Sequence, residues 1–75
     1  MKQMTTLDLK TIVATGGCVV VNSKEYTTLD LKTIAAAGST SHGKLYIKHA
    51  NRLTTLDCKS IAAANPGHVT FDFSE

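Results

Sequence analysis

The 75-residue chain has no tryptophan, a single proline, two tyrosines and two phenylalanines. So few rings exclude an aromatic core, and any interior must be built from Leu, Ile, Val and Ala, which bring less apolar area per residue. With 43% hydrophobic and 19% charged residues, the composition excludes a disordered or low-complexity chain. No apolar run approaches the roughly 18 residues of a membrane span. The opening "MKQMTTLD" meets an acid before any apolar stretch, so no secretory signal is expected. Two cysteines without such a signal read as reduced thiols, which makes the cytoplasm the expected location. There is no C-x-x-C and no H-x-x-x-H, the close ligand pairs that a zinc site wants, so no metal and no cofactor is expected. A net charge of +2 is too small to argue for nucleic acid by itself. A chain of this length is expected to form one domain over residues 1–75, near the lower limit for a single hydrophobic core. Such small domains often rely on a disulfide, a metal or a partner subunit.

What the chain does have is repetition. "TTLDLKTI" occupies residues 5–12 and recurs letter for letter at 27–34, and "TTLDCKSI" follows at 54–61. Each octet opens with a threonine three residues before an aspartate: Thr5 and Asp8, Thr27 and Asp30, Thr54 and Asp57. That spacing is a helix start, a threonine N-cap with an acid at the third helical position, and the acid also faces the positive end of the helix dipole. Leu9, Ile12 and Val13 then fall on one helical stripe, matched by Leu31, Ile34 and Ala35 and by Cys58, Ile61 and Ala62. The copies run out into "GG", "GS" and "NPG", which stop helices. Three short helices are predicted.

Each helix leads into a strand-like segment: "CVVVN" at 18–22, "KLYIK" at 44–48 and "HVTFDF" at 68–73. In the second, Leu45 and Ile47 point one way and Tyr46 and Lys48 the other; in the third, Val69, Phe71 and Phe73 oppose Thr70 and Asp72. The first is apolar on both faces. Aligned with the others through the octets, it places Cys18 and Val20 inward and Val19 and Val21 outward. The predicted core is therefore Leu9, Ile12, Leu31, Ile34, Cys58 and Ile61 against Cys18, Val20, Leu45, Ile47, Val69 and Phe71. Successive strands joined through helices favour parallel pairing with right-handed crossovers. The expectation is an α/β fold of three tandem helix–strand repeats (5–26, 27–53 and 54–75). They form a three-stranded parallel sheet with the helices on one face, a small solenoid-like stack in which each unit buries its stripe on its neighbours. A swapped or intertwined dimer of the same units is the alternative.

The run Leu45-x-Ile47-x-x-Ala50-x-x-Leu53 is similar to the strand and turn of leucine-rich-repeat proteins, with Ala50 where that family carries Asn or Cys. The other units keep Cys18-x-Val20-x-x-Ser23-x-x-Tyr26 and Val69-x-Phe71, and the family's buried asparagine ladder is missing. The resemblance is one of architecture over most of the chain. It implies a binding scaffold and supplies no catalytic residue.

Candidate sites are few. Cys18 and Cys58 align with leucines of the parallel units, and buried apolar thiols are expected there rather than a bridge. His42 sits among Ser39, Thr40 and Ser41 in "GSTSHG", but no oriented acid follows, so no catalytic residue is assigned. The loop also lacks the spacing of a phosphate-binding G-x-x-x-x-G-K-[ST]. From His42 to Arg52 there are three cations and no acid. Lys44, Lys48 and Arg52 could touch phosphates, with Tyr46 as a stacking ring. The outward strand face, with Val19, Val21 and Tyr46 beside Lys48, is more suggestive, because parallel sheets are normally covered on both faces. A small non-enzymatic interaction protein is the expected function, an inhibitor, adaptor or regulator. It would bind a second copy of itself or another protein through its open sheet face or a strand edge. A weak nucleic-acid binder is the alternative.

Overall fold

A computed structural model describes residues 4–74, and its element order alternates helix and strand throughout. Helix α1 spans Thr6–Ala14, α2 Thr28–Ala37 and α3 Thr55–Ala64; strand β1 spans Cys18–Asn22, β2 Lys44–Lys48 and β3 Val69–Phe71. Short 3₁₀ turns at Ser23–Glu25 and Ala50–Arg52 carry the chain from β1 to α2 and from β2 to α3. The three strands form one parallel sheet in the order β1-β2-β3. The expected α/β fold of repeated helix–strand units is the observed one.

The helices begin where the threonines require. Thr5, Thr27 and Thr54 each accept a bond from the amide of the aspartate three residues on, at 3.1, 3.0 and 3.0 Å. The aspartates return it, accepting from the threonine amides at 3.3, 3.2 and 3.3 Å. Aspartate is a carbon shorter than the usual glutamate, yet the reciprocal box closes in all three units. A second threonine in the octet has its own partner, since Thr11 and Thr33 donate to the Leu7 and Leu29 carbonyls one turn back.

The core lies between the helix layer and the sheet and is aliphatic: Leu9, Val13, Val21, Leu31, Ile34, Ala35, Leu45, Ile47, Ala50, Leu53 and Ile61 are buried. Cys58, Val69 and Phe71 are half-buried against it. Two expectations are corrected here. Ile12 is 36% exposed, and Val13 takes the buried place beside Leu9. More consequentially, β1 faces the other way. Val21 is 6% exposed and Val19 packs on the core, whereas Cys18 is exposed and Val20 is 64% exposed.

The cause is one residue. Paired positions of a parallel sheet share a face, and the ladder sets Val19 against Leu45 and Val21 against Ile47. Counting back from the octets aligns Cys18 and Val20 with those residues instead. The two counts differ because His49 stands between the end of β2 and its 3₁₀ turn, where β1 runs directly into Ser23. His49 adopts a left-handed conformation (φ 58°), which absorbs the extra residue and returns Ala50 to the buried row.

Close approach between units selects two glycines. A Cβ on Gly43 would sit on the Val13 carbonyl, and one on Gly38 would meet Val13 Cγ1 at 2.6 Å and Asn65 Nδ2 at 2.9 Å.

Candidate functional site

With β1 turned over, the outer face of the sheet carries Cys18, Val20 and Asn22 from β1, Lys44, Tyr46 and Lys48 from β2, and Thr70 from β3, with Asp72 just beyond. The register lines up Val20, Tyr46 and Thr70 as one row across the three strands. That row grades from an apolar end at β1, through a ring that is 39% exposed, to a polar end at β3. Among the described residues no helix or loop covers this face, since all three helices lie on the side of Leu45 and Ile47.

The polar end is organised. Tyr46 donates its hydroxyl to Asp72 Oδ2 at 3.2 Å, and Asp72 Oδ1 accepts from the Ser74 amide at 2.9 Å and the Ser74 hydroxyl at 2.5 Å. The Ser74 bonds, with help from Tyr46 and Lys48, hold the Asp72 carboxyl below the usual carboxylate range. The neighbouring negative charge in turn raises the Tyr46 phenol above its ordinary value, so the ring stays neutral and donates. At the β1 end, Asn22 Oδ1 is occupied by the Lys24 amide at 2.9 Å. Val20 and Cys18 remain as the apolar surface.

Of the residues expected on this face, Tyr46 and Lys48 are on it. Val19 and Val21 are not, for the reason of register given above; Val20 and Cys18 take their places. Lys44 and Lys48 flank Tyr46 on the same strand and face, but Arg52 is turned elsewhere: its Nη2 donates to the Ser23 carbonyl and, at 3.0 Å, to the Tyr26 carbonyl. The basic segment therefore spends one of its three cations on joining two units, and an acid, Asp72, accepts from the hydroxyl of the ring that would stack a base. Ser41 is likewise committed, donating to the Val13 carbonyl at 2.7 Å while accepting from the Gly43 amide at 3.3 Å. His42, in a left-handed turn, has its ring 5.6 Å from that of His68, and among the described residues no carboxylate is bonded to it. Among the described residues no group of three or more His, Cys, Asp or Glu is placed to hold a metal ion, and no helix is long and apolar enough to cross a membrane.

Two features were not anticipated from the sequence. Leu7, Leu29 and Leu56, the third letter of each octet, are exposed on the helical side. Each stands two residues after its capping Thr and one before the Asp of the same cap. Shallow grooves run between adjacent helices beside Leu29 and Leu56, with volumes of about 460 and 340 Å³, and lysines line both. In comparison with known proteins, no family model matches the chain, and neither a curated protein nor a solved structure matches it significantly.

Proposed function

We propose that the chain is a small non-enzymatic binding module that takes a protein partner on its outer sheet face. One observation carries the reading: a parallel sheet is left bare on one side, with Val20 64% exposed beside Tyr46. Parallel sheets ordinarily bury both faces, and among the described residues this one carries helices on one face only. Tyr46 is well suited to an anchor, a ring with only two rotatable bonds already held by Asp72, so little conformational freedom is lost when a partner covers it. Lys44 and Lys48 on either side supply a basic rim that favours an acidic or mixed surface. The alternative, phosphate binding by Lys44, Lys48 and Arg52, is weakened by the engagement of Arg52 with two carbonyls.

The test is affinity capture from the native cell with the wild-type chain and with a Val20→Lys, Tyr46→Ala double variant. Val20 is 64% and Tyr46 39% exposed, both on the face away from the helices, so the variant should keep its helical circular dichroism. A partner retained by the wild type and lost by the variant supports the reading, provided that capture survives moderate salt. Equal capture by both chains would refute it. Capture of nucleic acid that falls steeply with salt would move the function to the basic segment.

A further inference from the structure

Equivalent positions in the three units are not equally buried, and the differences separate the two ends of the stack. The octet isoleucine is fully buried in the second and third units, as Ile34 and Ile61, yet 36% exposed in the first, as Ile12. Among the described residues, no helix packs on the far side of α1, whereas α2 has α1 there and α3 has α2. This isoleucine is therefore the side chain that each unit presses against its predecessor. The opposite gradient holds elsewhere: Leu9 and Leu31 are buried but Cys58 is half-buried, and Val21 and Ile47 are buried but Phe71 is half-buried. Those positions receive the following unit, and among the described residues no helix packs on that side of α3. Phe73 is exposed with its ring 6.2 Å from that of Phe71, extending the apolar surface at that end. β1 and β3 each keep one unpaired edge. Stacks of this type normally end in units whose outer side is polar; here one end offers an isoleucine and the other an open apolar seat.

We infer that the two ends fit each other, so that the first unit of a second copy of this chain docks on the third unit of the first, head to tail. The occupant is identified by sequence. The octet of the first unit is identical, letter for letter, to that of the second, so it brings to α3 the same side chains that α2 already presses on α1. The contact continues the packing between successive units, with Ile12 of the second copy in the position relative to Cys58 and Phe71 that Ile34 holds relative to Leu9 and Val21. The free edge of β3 pairs in parallel with β1 of the incoming chain, as β1 pairs with β2. Such a contact is heterologous: every copy keeps one end of each kind, so the assembly grows as a filament or closes as a ring. It leaves the outer sheet face uncovered and is independent of the binding function proposed above.

The experiment is sedimentation velocity over a range of concentrations with the wild type, Ile12→Glu, Cys58→Glu and their mixture. The wild type should rise in mass with concentration, while each variant, blocked at one end, stays monomeric. An equimolar mixture should give a discrete species of about twice the monomer mass that grows no further, because each variant retains the end the other has lost. Phe73→Glu, which alters an exposed residue, replaces Cys58→Glu if the latter loses its circular dichroism. A wild type that stays monomeric at every concentration would overturn the inference. So would continued dimerisation of Ile12→Glu, which would indicate a two-fold contact between third units, or a mixture that fails to pair. A Val20→Lys control should assemble like the wild type, which keeps the outcome separate from that for the sheet face.

Discussion

Replacing Ile34 by alanine removes buried methyl and methylene groups from a position with no exposed surface, flanked by helices on both sides. Isoleucine-to-alanine changes in cores cost about 2–5 kcal/mol, and the upper half of that range applies where the site cannot collapse. A loss of roughly 3–4 kcal/mol is expected, against a total of about 4–11 kcal/mol for a chain of this size. The repeated octet supplies internal controls. Ile12 has the same seven preceding letters and the same cap, so helix propensity and capping cancel, but it is partly exposed and leaves no cavity. Ile12→Ala should cost only about 1 kcal/mol, the value of the apolar area it still buries. Ile61 is buried but lies in the unit whose far side is open, so relaxation lowers its cost to roughly 2–3 kcal/mol. Urea denaturation followed by circular dichroism, at concentrations low enough to keep the chains monomeric, reads the three midpoints directly. The expected order of loss is Ile34, then Ile61, then Ile12. Equal losses at Ile12 and Ile34 would refute the stacked arrangement, because only a neighbouring unit distinguishes these two positions.

Cys18 is exposed on the outer sheet face, while the Cys58 thiol is half-buried and held above its ordinary pKa by burial and then by Asp57. A thiol reagent at neutral pH should therefore label Cys18 at once and Cys58 several times more slowly until denaturant is added; equal rates would contradict the facing of β1. Asp72, stabilised as a carboxylate chiefly by Ser74, titrates lower in the folded than in the unfolded chain. Its contribution to stability is full above the unfolded value and is lost as pH falls through the folded one, so the Ser74 amide resonance should titrate with a midpoint below that of an unstructured aspartate, and a midpoint at or above it would rule out the Asp72–Ser74 bonds.

The helices were legible because their signals are local and repeated. A threonine, an aspartate three residues on and a terminating Gly or Asn-Pro mark each one, and the same reading located all three strands. The facing of β1 was not legible, because Val19, Val20 and Val21 carry no alternation. Orientation then depends on hydrogen bonding to β2, and a slip of one residue exchanges every inward side chain for an outward one. His49 produces that slip, and nothing local marks it as an added residue. The exposure of Ile12 was hidden for a different reason. Repeat alignment treats the three octets as equivalent, whereas burial depends on neighbours, and among the described residues α1 packs on one helix while α2 packs on two. The candidate site inherits both limits: Tyr46 and Lys48 were placed by clear alternation, Val20 only by the ladder.

Nearly identical octets raise a difficulty that their hydrophobic stripes cannot resolve, since any unit could stack on any other. The residues that fix the order are the ones that do not repeat. Ser23 donates to the His49 carbonyl at 2.6 Å and tethers the turn of the first unit to that of the second. Arg52 reaches back across the same junction to the Ser23 and Tyr26 carbonyls. Ser41 ties the long loop of the second unit to the end of α1. Asn65, buried at the end of α3, donates to the Gly43 carbonyl at 2.9 Å and fixes the third unit on the second. Ser23 and Asn65 are buried, so a wrong neighbour that lacks their carbonyl partners leaves each unsatisfied at a cost of about 1–3 kcal/mol, whereas the exposed Arg52 can turn to water. No described side chain is left in that state. The apolar stripes thus make the units stick, and four unrepeated polar side chains decide which unit sticks to which.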